Sequence, residues 1–116
     1  MPQRKQNKEP SEYRAMWLFA MFDLPVDTKP ARKRYARFRK VLIRGGFSML
    51  QFSVYARYCE SEEASDVYRR HVRAALPPEG HVRLVSLTDR QFGKMEVFFG
   101  GSLARVESPP PQLMLF

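Results

Sequence analysis

The sequence predicts an α+β fold in one domain. Three observations carry this expectation: a length of 116 residues leaves room for a single domain, an apolar run near the start reads as a strand covered on both sides, and two segments with helical periodicity alternate with short stretches rich in β-formers. Hydrophobic residues make up 44% of the chain and aromatics 13%, enough to fill a compact core and too many for a disordered polymer.

Taken in order, residues 1–14 are rich in Gln, Asn, Lys and Pro and are expected to be a flexible basic tail. A domain over 15–100 and an extension over 101–116 follow. Met16 to Phe22 is apolar throughout, too short for a typical helix, and closed by Asp23-Leu24-Pro25, as suits a central strand. Thr28 caps a helix beginning near Pro30, where the missing N–H of proline costs nothing, and Gly45-Gly46 ends it. On a wheel of 100° per residue, Ala31, Tyr35, Phe38 and Leu42 form one stripe, with Lys33, Arg37, Lys40 and Arg44 opposite.

Phe47 to Tyr58 is rich in Phe, Val and Tyr and is interrupted by Gln51 and Ser53, giving two strands or one bent pair. Ser61-Glu62-Glu63 opens a second helix whose first-turn acids and late Arg69, Arg70 and Arg73 complement the helix dipole. Its expected apolar face is Ala64, Val67, Tyr68, Val72 and Ala75, and Pro77-Pro78 stops it. His81 to Thr88 reads as a strand, Asp89 to Met95 as a turn, and Glu96 to Phe99 as a further strand. The resulting order, β-α-β-β-α-β with an additional C-terminal strand, is the ferredoxin-like arrangement.

Charge gives the first functional clue. The chain carries 20 Lys and Arg against 12 Asp and Glu, a net charge of +8, which points to a polyanionic partner. The excess is uneven: residues 1–58 hold 13 basic and 4 acidic side chains, and residues 59–116 hold 7 and 8. From Thr28 to Cys59 no acidic residue occurs, and nine positions are Lys or Arg. Ordinary solvated helix faces mix both signs. Lys29, Arg32, Lys33, Arg34, Arg37, Arg39, Lys40 and Arg44, with Arg57 beyond them, therefore suit contacts to phosphates, which give affinity without sequence preference. The alternative is a merely solvated helix.

Asp23 is the candidate for chemistry, because a carboxylate closing an apolar strand is costly unless it is solvated, paired or bound to a cation. Mg²⁺ keeps most of its waters and accepts a single protein carboxylate. The competing reading makes Asp23 a turn residue before Leu24-Pro25, and Asp27 belongs to the turn before the helix. His71 lies toward the apolar side of the second helix and is expected to pack there, while His81 starts a strand. Phe47, Phe52 and Tyr55 suit base stacking if exposed and core packing otherwise. No His, Cys or carboxylate spacing resembles a zinc site, and no phosphate-cradling glycine loop or catalytic triad is present. Cys59 is the single cysteine, so no intrachain disulfide forms and a cytoplasmic location is expected. The longest apolar run, MWLFAMF, suits neither a signal peptide nor a membrane span.

The stretch MWLFAMFDLPVDTKPARKRYARFRKVLIRGGFSMLQFSVYARYC, in which an apolar strand ends in Asp, a Thr-capped basic helix follows, and GF-x-MLQ-x-SVY leads onward, resembles the N-terminal half of the CRISPR-associated protein 2 family. The resemblance covers roughly residues 15–99, and PPPQLMLF is similar to the extension of members that accompany type II systems. It implies a homodimer in which the last strand crosses to the partner's sheet, which offers a role for Glu96 to Phe99. It further implies that Asp23 is the Mg²⁺ ligand and catalytic residue of a phosphodiesterase cutting RNA or DNA, with two copies facing each other in the dimer. The family's other role, in the acquisition of new spacers, implies a dimer that bridges pairs of a larger integrase subunit and holds a prespacer DNA duplex on its basic surface without hydrolysis. A generic RNA-recognition module is the third reading, and the chain lacks its aromatic signature.

Overall fold

The computed structural model describes residues 15–100 and the backbone of 102–103. The chain runs β1 (Met16–Asp23), α1 (Lys29–Arg44), β2 (Ser48–Gln51), β3 (Val54–Cys59), α2 (Glu62–Ala74), β4 (His81–Thr88), α3 (Asp89–Gly93), β5 (Phe98–Phe99) and β6 (Ser102–Leu103). The first four strands form one antiparallel sheet in the order β2-β3-β1-β4, the ferredoxin-like order expected from the sequence. β1 lies in its centre, paired with β3 from Met16↔Cys59 to Met21↔Val54 and with β4 from Met16↔Thr88 to Asp23↔His81.

Strand alternation sorts β1 into two layers. Leu18, Ala20 and Phe22 join Phe38 and Leu42 of α1, Val72 of α2, and Tyr55 and Cys59 of β3 in the main core. Burying side chains such as Phe38 and Leu42, 2% and 1% exposed, contributes about 1.5–3 kcal/mol each. Trp17 and Phe19 face the other way and pack with Ala56 and Phe92. Among the described residues that second face has no long helix over it. α3 covers one end through a Trp17–Phe92 stack at 4.0 Å, and Trp17 Nε1 donates to Asp89 Oδ1 at 2.7 Å. The remainder is an apolar cleft of about 440 Å³ bounded by Phe19, Met21, Val54, Met95, Phe98 and Phe99.

The helix ends follow from local chemistry. Thr28 Oγ1 accepts from the Ala31 N–H at 3.1 Å, and Ser61 Oγ accepts from Ala64 at the same distance. At the end of α1, Gly45, Gly46 and Phe47 donate back to the carbonyls of Val41, Ile43 and Leu42. No helix among the described residues is long and apolar enough to cross a membrane.

Four expectations need correction. Asp89 to Gly93 is a helical turn rather than an open turn, held by a capping box in which Thr88 Oγ1 accepts from the Gln91 N–H and Gln91 Oε1 accepts from the Thr88 N–H. The expected strand over Glu96 to Phe99 shortens to Phe98–Phe99 and pairs with β6 in a separate ribbon. Val67 is exposed on α2, and Ser65 takes the buried place, its hydroxyl donating to the Glu62 carbonyl at 2.7 Å. His71 is exposed and meets the Tyr68 ring edge-on at 6.4 Å. The N-terminal tail and the proline-rich C-terminal stretch lie outside the described residues.

Candidate active site and nucleic-acid interface

Asp23 occupies the last position of β1 and is exposed, although the seven strand residues before it are all apolar. It makes no ion pair or hydrogen bond through its side chain among the described residues. Its backbone is held from several directions. The register places it opposite His81 of β4, so that the two exposed side chains are cross-strand neighbours. The preceding Phe22 N–H donates to the Ser53 carbonyl at 3.1 Å, Leu24 is buried just after it, and Arg32 Nη1 donates to the Val26 carbonyl at 3.1 Å.

Gly80 completes this clamp. A Cβ at that position would lie 2.5 Å from the Asp23 carbonyl oxygen and 2.7 Å from Leu24, and its φ of +88° disfavours any L side chain. The chain after α2 therefore presses directly on the backbone of Asp23. Sequence reasoning missed this contact and the facing of Asp23 by His81. The visible signal was a glycine between Pro77-Pro78 and a strand.

The structure divides the basic residues of α1 into two sets. Arg34 pairs with Glu79 at 3.5 Å, Arg39 Nε donates to the Tyr55 hydroxyl at 2.7 Å, and Arg32 braces the loop after Asp23. Lys29, Lys33, Arg37, Lys40 and Arg44 are exposed and have no ion pair or hydrogen bond among the described residues. The stripe opposite the core is thus the set with no tether among the described residues. Arg57, grouped with them by sequence, turns instead onto α2: its guanidinium lies 3.8 Å from the centroid of the Tyr68 ring and donates to the Tyr68 hydroxyl. Gly46, at φ +90°, leaves the room that this guanidinium fills.

The three candidate stacking aromatics also separate. Phe47 and Tyr55 are buried at 5% and 1% exposure, and Phe52 is 77% exposed. Cys59 is fully buried, and burial pushes its thiol pKa above the ordinary value.

For a divalent cation the donor set is sparse. Among the described residues no group of three or more His, Cys, Asp and Glu side chains comes together. What Asp23 offers fits Mg²⁺ in its least demanding form, one solvated carboxylate with water and phosphate oxygens completing the shell. The N-terminus of α1 follows six residues later at Lys29, and its N–H groups and dipole favour phosphate nearby.

Comparison with known proteins converges on one family. Residues 16–95 match the model of the family described as CRISPR associated protein Cas2. The chain is 48% identical over 101 residues to the CRISPR-associated endoribonuclease Cas2 of Parvibaculum lavamentivorans, covering 87% of this chain and 100% of that protein. It is 42% identical over 106 residues to the protein of the same name from Flavobacterium psychrophilum, covering 91% and 92%. The CRISPR-associated endoribonuclease Cas2 2 of Rhodospirillum rubrum is 40% identical over 111 residues, covering 92% and 99%.

Proposed function

The chain belongs to the CRISPR associated protein Cas2 family, and on that premise we propose that it hydrolyses phosphodiester bonds of RNA with Mg²⁺ held at Asp23, as a homodimer serving spacer acquisition. The observation that carries the reading is the exposed carboxylate of Asp23, unpaired among the described residues, at the end of an apolar strand and ahead of a helix with no acidic residue. RNA is favoured as substrate because the similar proteins are named endoribonucleases.

In this mechanism Asp23 supplies the anchoring carboxylate, and bound Mg²⁺ would polarise the phosphate and lower the pKa of an attacking water. The protein's own contribution is placement. Gly80, Leu24 and Arg32 fix the backbone around Asp23, and the open cations of α1 hold the polyanion. A second copy completes the picture. Strand alternation puts Asp23 on the same sheet face as Phe19 and Met21, the face that lacks a long helix among the described residues. A partner packed there would cover the apolar cleft and bring a second Asp23 to the same side, easing the shortage of ligands. The larger integrase subunit of spacer acquisition is the proposed hetero-partner.

The test is cleavage of labelled single-stranded RNA and of duplex DNA across a Mg²⁺ titration, with and without chelator. RNA cleavage that rises with Mg²⁺ and stops with chelator is expected. Cleavage indifferent to chelator refutes the metal, and cleavage of duplex DNA alone refutes the substrate.

A further inference from the structure

Phe52 is the most exposed large apolar side chain among the described residues, at 77%. It sits in the two-residue turn between β2 and β3, at the end of the sheet where β1 closes in Asp23. An exposed phenyl ring at a hairpin tip is ordinarily free to sample rotamers. This one is propped: its ring lies nearly parallel to Tyr35 of α1, with centroids 6.0 Å apart and planes at 20°. Tyr35 in turn meets Phe22 edge-on at 5.8 Å, so the outer ring is connected to the main core through two aromatic contacts.

The backbone beneath the ring is held as well. Ser53 has φ +63°, a left-handed conformation that a non-glycine residue adopts at a cost of about 1–2 kcal/mol. Two contacts hold it there: its carbonyl accepts from the Phe22 N–H at 3.1 Å, and its hydroxyl bonds to that of Tyr35 at 3.0 Å. A surface ring fixed by strained backbone is suited to a flat partner, because little side-chain freedom remains to be lost on binding.

Charge identifies the partner. On α1, Tyr35 has Arg32 three residues before it and Arg39 four residues after it, so both positions neighbour Tyr35 on the helix surface. Each is anchored by one nitrogen, Arg32 on the Val26 carbonyl and Arg39 on the Tyr55 hydroxyl, which leaves further N–H groups to donate. An aromatic face between two cations matches a nucleotide, whose base stacks while its flanking phosphates pair. A base within a duplex is already stacked on both sides and would have to be extruded to reach the ring.

We infer that Phe52, propped on Tyr35 and flanked by Arg32 and Arg39, is a stacking platform for one unpaired base of a single-stranded nucleic acid. The inference rests on the proposed RNA-handling function and adds to it a residue that selects single strands over duplexes. A base held there lies at the end of the sheet where β1 closes in Asp23, on the side of the sheet that α1 covers.

The test is fluorescence anisotropy, in chelator and at fixed salt, of a labelled single-stranded RNA and of a blunt RNA duplex of equal length. The proteins are wild type, Phe52→Ala, Phe52→Leu and Phe52→Trp. Loss of one stacked base is expected to weaken single-strand binding about tenfold in Phe52→Ala and Phe52→Leu, with Phe52→Trp retaining it and duplex binding unchanged throughout. Single-strand binding equal in Phe52→Ala and wild type overturns the platform, as does an equal loss on both ligands. If wild type binds neither RNA, the underlying nucleic-acid reading fails and the platform falls with it. Unchanged melting temperatures, expected for so exposed a side chain, keep folding out of the comparison.

Discussion

Replacing Lys33, Arg37, Lys40 and Arg44 together by Gln is expected to flatten the salt dependence of RNA binding. All four side chains are exposed on one stripe of α1 and have no ion pair among the described residues, so their charges can be given entirely to phosphates. Each phosphate contact to a single strand steepens the slope of log affinity against log salt by about 0.7, so four contacts account for a slope of about 2.8. Raising salt from about 50 to about 200 mM then costs wild type roughly 50-fold more affinity than the variant. Folding should be undisturbed, because Gln has a helix propensity close to those of Lys and Arg and the positions face solvent. The assay is fluorescence anisotropy with labelled single-stranded RNA in chelator, over a salt series. Parallel slopes for the two proteins would refute the assignment of this stripe to phosphate binding.

Three further outcomes follow from the packing. Leu42 is 1% exposed in the main core, and Leu42→Ala should cost about 2–5 kcal/mol in urea denaturation; a loss under about 1 kcal/mol would place it outside the core. Gly80→Ala puts a methyl group 2.5 Å from the Asp23 carbonyl oxygen, and should reduce cleavage while leaving RNA binding within about twofold; unchanged cleavage would show that the clamp on Asp23 is dispensable. Cys59 has its thiol pKa raised by burial, so the folded chain favours the protonated form. Its contribution to stability is complete below the ordinary thiol value of 9.0 and is lost as pH rises through the raised folded value. Melting temperatures measured across that range should fall more for wild type than for Cys59→Ala, and identical profiles would contradict the burial.

The elements legible in the sequence are those whose signals are local. α1 combines a Thr cap, a proline in its first turn, an apolar stripe and a glycine pair, and each of these has its expected partner in the structure. β1 was readable because seven apolar residues in succession leave no face for water. α3 was missed because five residues are too few to show a period, although Thr88 and Gln91 have the spacing of a capping box. The buried place of Ser65 and the exposure of Val67 could not be read from hydrophobicity, since a hydroxyl bonded to its own helix carbonyl behaves as a small core group.

The candidate site divides along the same line. Asp23 stood out by contrast with its strand. Which cations are tethered within the chain could not be read from a wheel, because Arg34, Arg39 and Arg57 are held by Glu79, Tyr55 and Tyr68, residues outside α1. That Phe52, alone of the three candidate stacking aromatics, is exposed was hidden for a similar reason. Its turn contains no glycine or asparagine to announce it, and the left-handed Ser53 is held by contacts from β1 and α1.

The account's central claim is that the carboxylate of Asp23 is the chemical group, and single-turnover cleavage of labelled single-stranded RNA by wild type and Asp23→Asn in saturating Mg²⁺ tests it most directly. The substitution preserves size at an exposed strand end and removes the charge, so binding measured in parallel should persist while cleavage falls by at least about 100-fold. Cleavage by Asp23→Asn at the wild-type rate, with equal binding, would contradict the claim and move the chemistry elsewhere on the chain.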